Sequence, residues 1–525
     1  MDNRDLAKAL AAIVLSFIVL VGYQYFFTEP APKVEQQEGA REQQPVKTDT
    51  PVAAVEQEAP ARDEKPLEVT VPSAEKIVKI ETPLYHAEIS SKGGVIKSWI
   101  LKTYHDNEGS PVVLARNKKD ISPLSISKDD SFGSARFDFA VSGDDLDLSE
   151  NKPEGSLVFT HRSKEGTIKR TLTFHAGSYR VDILDEVSGF GNYWVTLGED
   201  FGLTGAKGFY AHIGPVILMG TDRDEYKIDK IKAPSYITPV DLKWVALEDK
   251  YFFSSIVPQT EVSSIKIWKK ENSGLIALKM PGGKNEYVLY AGPKVINELK
   301  ALNLGLEHIV DFGFWSFIAR PIFWLLIYIN NVIGNYGWSI IILTIMIRIP
   351  FIPLLNKGQA SMKRMQALQP KMQEVKEKYK KDPQKMQKEM MELYKKHKVN
   401  PMGGCLPMLI QIPVFFALYK VLLVAIEMRQ SPWILWIHDL SAKDPYYVLP
   451  LIMGATMFLQ QKMTPTSADP KQAKIMMFMP IIFTFMFLNF SSGLVLYWLM
   501  SNVLSIVQQF FVNKKVAAEA QKASA

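Results

Sequence analysis

Hydrophobic positions follow three rhythms along this chain, and each predicts a different kind of element. The first is a solid block: Ala9 to Thr28 carries no charge over twenty residues. That is long for a signal-peptide core. It also ends on Tyr23, Tyr25, Phe26 and Phe27, where a cleavage site would want small side chains. Residues 1–28 are therefore predicted to form an uncleaved signal-anchor transmembrane helix with an aromatic end at an interface. Residues 29–74 are rich in Pro, Glu, Gln and Ala and cannot bury enough apolar surface to fold, which predicts a disordered linker.

The second rhythm is alternation, and it fills residues 75–302. Ile168, Leu172 and Phe174 share one face of their stretch, and Tyr179, Val181 and Ile183 alternate with Arg180 and Asp182. Lys164-Glu165-Gly166 and Ala176-Gly177-Ser178 separate these runs as turns. Many short strands with few helical patterns predict an all-β sandwich.

The third rhythm is long apolar blocks divided by charge. Residues 303–337 are predicted to hold an interfacial helix, Leu304 to Arg320, with Glu307, His308 and Asp311 on one side, followed by the start of a second transmembrane helix. A break near Asn330–Gly337 leaves residues 338–355 as the next span. Residues 356–400 are polar and helical in composition, and Asp382-Pro383 divides them into a two-helix hairpin. Residues 401–512 hold three apolar blocks, Met402–Ile426, Tyr446–Gln461 and Ile475–Phe511. The last is long enough for two spans turning at Asn489–Gly493, which makes four further transmembrane helices. Residues 513–525 form a tail. The fold class is a polytopic α-helical membrane protein of six transmembrane helices carrying an all-β sandwich domain. Tyr446–Gln461 and Ile475–Leu488 are shorter than the roughly 20 residues that span comfortably, and short helices thin the bilayer around them.

Charge sets the orientation. The formal net charge of +6 is concentrated in one segment: residues 356–400 hold thirteen Lys/Arg against five Asp/Glu. Short Lys/Arg-rich loops stay cytoplasmic, which puts both termini inside and the β domain outside. The loop from Glu427 to Asp444, with two positive and three negative charges, fits the outer side. The single cysteine, Cys405, excludes an intrachain disulfide, so the outer domain must stand on its hydrophobic core alone.

Candidate chemistry is sparse. The β domain's histidines (His86, His105, His161, His175, His212) lack metal-ligand spacing, and there is neither a glycine-rich phosphate loop nor a nucleophile elbow. No catalytic residue, cofactor or metal is expected. The conspicuous group is Arg348, a permanent cation inside an apolar span. One reading has it snorkel to the Leu355 end. The other holds it in a water-filled recess, which the absence of any intramembrane Asp or Glu favours. That absence also argues against a proton- or sodium-coupled transporter. Eighteen of the 21 methionines lie between Met346 and Met500, a composition suited to packing and to accepting varied apolar partners.

Three runs carry a family resemblance: NPMGGCLPMLIQIPVFFALY (Asn400–Tyr419), LWIHDLSAKDPYY (Leu435–Tyr447) and FMPIIFTFMFLNFSSGLVLYWLMSN (Phe478–Asn502). Together with the order of anchor, linker, β domain and basic hairpin, they resemble the YidC membrane protein insertases of the Gram-negative type. The resemblance implies a helical groove open to the cytoplasm and to lipid but closed outward. Arg348, Thr344 and Gln411 fall at groove positions. The β domain would be periplasmic and supersandwich-like, similar to sugar-binding enzymes but without catalysis. Nascent membrane proteins would be the substrates, inserted alone or with the Sec translocon in the inner membrane. The basic hairpin, with Lys363, Arg364, Lys376, Lys380 and Lys381, would dock a ribosome or anionic lipids, without recognising nucleic-acid sequence. Lys420 departs from the aromatic residue expected after Tyr419. An anchored periplasmic carbohydrate enzyme is the rival, but one helix suffices for anchoring.

Overall fold

The computed structural model describes residues 74–116, 120–132, 137–205, 211–397, 399, 406–463 and 470–524. The signal-anchor expectation and nearly all of the linker lie outside these residues, as does Cys405.

Alternation becomes strands throughout the outer domain. Nine strands form one antiparallel sheet, in the order Asp222–Glu225, Gly214–Met219, Leu242–Glu248, Phe252–Pro258, Gly283–Pro293, Arg180–Ser188, Gly166–His175, Glu154–Ser163 and Ala140–Ser142. Two five-stranded sheets flank it. One packs through Tyr85, which stacks on Trp99 at 4.1 Å and lies 6.1 Å from Tyr179. The other approaches at Gly274, where a Cβ would come within 2.7 Å of Pro215. Side chains of one parity point inward, so Ile168, Leu172, Phe174, Val181 and Ile183 are all buried.

Arg170 and Asp185 share that inward parity and face each other across the ladder. Both are fully buried. The guanidinium grips the carboxylate with two 2.8 Å bonds, Nε to Oδ1 and Nη2 to Oδ2. Tyr287 and Tyr193 donate to Oδ2 at 2.7 and 3.1 Å, and Arg170 Nη1 donates to the Leu124 carbonyl at 2.7 Å. Bidentate geometry plus satisfied lone pairs is what a buried ion pair needs to offset desolvation.

After the last strand comes helix α1 (Ile296–Ala301). The expected interfacial helix from Leu304 to Arg320 is not one helix. Gly305 and Gly313 take left-handed backbone, φ 69° and 66°, and leave two single 3-10 turns, Leu306–Ile309 and Gly313–Trp315. Leu306, Ile309, Val310 and Phe312 are drawn into the core, and Trp244 Nε1 bonds the Gly305 carbonyl at 3.0 Å. Helix α2 (Ser316–Ile333) follows as a separate element with Pro321 in its first turns. It ends at Gly334, in left-handed conformation, and Asn335 then caps α3 (Tyr336–Arg348), its side chain accepting from Gly337 N and Trp338 N. The expected break at 330–337 is thus built from a glycine stop and an asparagine start.

A 3-10 turn at Ile349–Phe351 carries α3 into α4 (Ile352–Ala367). The hairpin residues from Arg364 onward fall in a different compact unit from the β domain and the other described helices. That unit contains α5 (Gln369–Lys378) and α6 (Pro383–Lys396), with Asp382 Oδ1 capping α6 at Lys385 N, 3.1 Å. Three helices rather than two therefore cover 356–400, because the apolar span runs on into α4.

Beyond it lie α7 (Leu406–Val424), α8 (Val448–Met463), α9 (Pro470–Phe487) and α10 (Ser492–Ser524). Among the described residues, three segments are long and apolar enough to cross a membrane: Gly313–Ile333, Tyr336–Met365 and Ser492–Lys515. Gln411–Val424 and Met476–Phe487 are shorter apolar helices. Gly454 lets α8 and α9 touch, since a Cβ there would sit 2.1 Å from Thr484 Oγ1. Phe478, Ile482 and Phe485 on α9 project outward, exposed, as lipid-facing side chains do.

Candidate functional site

The loop between α7 and α8 is tied down at one end of the helical region. Asp444 is its organiser: Oδ1 accepts from Trp436 Nε1 and Tyr446 N at 3.0 Å each, and Oδ2 from Leu449 N at 2.7 Å. The Leu440 and Ala442 carbonyls receive the first amides of α10, Gly493 N and Ser492 N. Trp433 lies over Gly337, leaving no room for a Cβ there. Gln430 Nε2 ties the loop to the β domain through the His105 and Asp106 carbonyls at 3.1 and 3.0 Å. Arg429 donates to the same His105 carbonyl and lies 5.7 Å from the Phe252 ring. Beneath them, Glu427 Oε2 is buried without a partner among the described residues. Burial, reinforced by nearby Glu298, pushes this carboxyl up to about 7. Lys420 extends from α7 to Gly313, 3.5 Å from where a Cβ would be, so its charge is carried towards the outer turn.

Arg348 ends α3, within the apolar segment Tyr336–Met365. Among the described residues it has no carboxylate partner, but it is not without partners. Its guanidinium lies on α10: Nη1 donates to Ser501 O at 3.1 Å and Nη2 to Ser505 Oγ at 2.8 Å. Gln508 Oε1 accepts from Nη2 at 3.1 Å and from Nε at 3.4 Å. Arg348 is half-buried. Thr344, one turn earlier, is buried at 4% exposure, and its hydroxyl donates back to Ile340 O at 2.6 Å. Gln411 on α7 donates to the buried hydroxyl of Tyr497, also on α10. Helix α10 is thus the common wall. Arg348 and Gln411 meet it at points one to three turns apart, and Thr344 faces into the packing.

Ser501 and Asn502 were visible in the sequence as polar groups of the last spans, but Tyr497, Ser505 and Gln508, and the seat that α10 gives Arg348, were missed. Tyr497, Ser501, Ser505 and Gln508 fall at spacings of four, four and three, one polar stripe in an apolar helix. That stripe was the available signal. Asn502 Nδ2, on a neighbouring face, reaches Thr456 Oγ1 of α8 at 3.4 Å.

The hairpin lysines divide. Arg364, Lys380 and Lys381 are exposed and Lys376 half-buried. Lys363 Nζ instead bonds the Asn513 carbonyl of α10 at 3.1 Å, so it belongs to the helix wall. In the β domain, His86, His175 and His212 lie apart from one another, each beside its own neighbouring carboxylates or carbonyl. His86 pairs with Glu81, His175 with Asp182, and His212 with the Pro215 carbonyl at 3.1 Å. Among the described residues no cluster of His, Cys, Asp or Glu is arranged to hold a metal.

Known proteins match both regions. The family described as YidC periplasmic domain covers residues 77–325, and 60Kd inner membrane protein covers 328–520. The chain is 43% identical to the membrane protein insertase YidC of Syntrophus aciditrophicus, over 97% of its own length and 99% of that protein. It belongs to the YidC membrane protein insertase family. The YidC insertase of Citrifermentans bemidjiense is 41% identical over the same shares. A crystal structure of an active YidC insertase with its first transmembrane domain resolved aligns over 83% of this chain and 93% of that one, at 18% identity and a TM-score of 0.39. The YidC family is one of insertases, not of enzymes, and its members are inner-membrane proteins with a periplasmic domain.

Proposed function

We infer that this chain inserts membrane proteins into the inner membrane, and that Arg348 is the charge that receives their translocated segments. The observation that supports this is a cation set among apolar helices with, among the described residues, neutral oxygens alone as partners. Moving a polar tail through a bilayer is costly because its groups lose water. A cation already seated inside the helical layer shortens that path for an acidic tail. The short helix α8 thins the lipid beside it, and the apolar segment then slides sideways into the bilayer. No nucleotide site is needed for this.

The full architecture comprises six transmembrane helices, the N-terminal anchor and five in the core, with both termini cytoplasmic. The positive hairpin and the acidic outer loop support that orientation. Thr344 and Gln411 shape the wall beside Arg348. Arg364, Lys376, Lys380 and Lys381 offer a positive surface to a ribosome or to anionic headgroups, and insertion proceeds alone or beside the Sec translocon.

The test is insertion of matched substrates with zero, one and two acidic residues in the tail, by wild type, Arg348→Ala and Arg348→Lys. Alanine is expected to cost most for the two-acid tail and least for the neutral one. A charge pair at 4 Å is worth roughly 4 kcal/mol before desolvation at an effective dielectric of 20. Lysine keeps the charge but not the fork of donors, so it should keep the order of substrates at a reduced rate. Equal losses on all three substrates in the alanine variant would refute the role.

A further inference from the structure

Arginine presents five N–H donors in one rigid plane. Four hydrogen bonds seat Arg348 on α10: two to Gln508 Oε1, one to Ser505 Oγ and one to the Ser501 carbonyl. These use Nε–H, both hydrogens of Nη2 and one of Nη1, so the second Nη1–H has no acceptor among the described residues. A neutral oxygen satisfies a donor without cancelling its charge, whereas a carboxylate would do both.

Gln508 is itself held in place. Its Nε2 donates to Asn356 Oδ1 at 2.7 Å and to the Ile352 carbonyl at 3.4 Å, both on α4. The guanidinium only donates and the Ile352 carbonyl only accepts, so one orientation of the amide fits. Flipped, its NH2 would face the arginine's donors. Glutamine therefore does here what neither neighbouring chemistry does. A glutamate of the same length would hold the guanidinium but neutralise it. An apolar side chain would leave the charge but release the plane.

We propose that Gln508 is a positioning residue for insertion. Braced by α4, its amide keeps Arg348 flat on α10 with the charge uncancelled and one Nη1–H open to a substrate carboxylate. This deepens the reading of Arg348 as the receiving charge and rests on it.

The experiment uses the purified full chain in liposomes and single-span substrates with zero, one or two Asp in the tail. The variants are Gln508→Glu, Gln508→Met and Arg348→Ala. In Gln508→Glu the two-Asp substrate is expected to drop roughly tenfold relative to the neutral-tail substrate, the attraction that survives desolvation. Its thermal unfolding in detergent should stay near wild type, because the pair with Arg348 offsets the two donations to α4 that a carboxylate cannot make. Gln508→Met should lower insertion of the two-Asp substrate relative to the neutral one by a smaller factor. Wild-type insertion of every substrate by Gln508→Glu would overturn the proposal, as would an equal loss on all three. Equal losses in Arg348→Ala would instead overturn the reading of Arg348, and the role of Gln508 with it.

Discussion

Glu427 is a carboxyl held against its ordinary chemistry, and replacing it with glutamine should stabilise the junction between the outer loop and the β domain. Burial raises it from 4.5 to about 7. Each pH unit of separation is worth about 1.4 kcal/mol, so the full displacement sets an upper limit of about 3 kcal/mol. Residual solvent contact screens part of this, leaving about 1–3 kcal/mol. The sign follows from proton counts. Between 4.5 and 7 the folded state binds the proton and the unfolded state does not, so stability falls as pH rises through that window and levels off above it. Glutamine has no proton to lose, so the advantage of Glu427→Gln should be small at pH 4.5, grow to pH 7 and stay constant at pH 8. Thermal unfolding of the detergent-purified chain across that range measures it, with limited proteolysis at the 427–431 loop as a local readout. An advantage of equal size at pH 4.5 and pH 8 would mean the carboxyl is solvated at the junction, and the reasoning would fail.

Gly337→Ala should cost about 1–3 kcal/mol by overpacking, because its Cβ would lie 2.1 Å from the Trp433 indole. Pairing it with Trp433→Leu should return most of the lost thermal stability. Arg170→Met strands a buried carboxylate and should cost the β domain about 3–5 kcal/mol, read by denaturant unfolding, while Arg170→Met with Asp185→Leu should be far milder. Removing residues 75–297 should leave insertion working, since Arg348 and its acceptors all lie on α3 and α10. Loss of insertion with the helices still assembled would contradict this.

Local pattern was enough for much of the protein. Alternation at Tyr179–Ile183 marked strands because the pleat turns successive side chains to opposite faces. The division at Asp382-Pro383 and a break within 330–337 were legible because breaking and capping residues act within a few positions, but the start of α3 at Asn335 was not read from the sequence. The charge of 356–400 and the uncharged blocks needed only composition. Parity even placed Arg170 on the inward face, but its partner Asp185 depends on strand register, which sequence spacing does not reveal. The same limit explains Leu304–Arg320. Its amphipathic pattern suggested a helix at an interface, yet the apolar residues found a larger buried surface in the core, and two left-handed glycines broke the helix to reach it. Arg348 was conspicuous as a charge among hydrocarbon, and the lack of intramembrane carboxylates was already visible. Which neutral oxygens would hold it was settled only by the packing of α3 and α4 against α10, which brings residues about 160 positions apart into hydrogen-bond range. Hydrogen bonds over that separation are set by where helices lie in space, and a linear pattern carries no record of it.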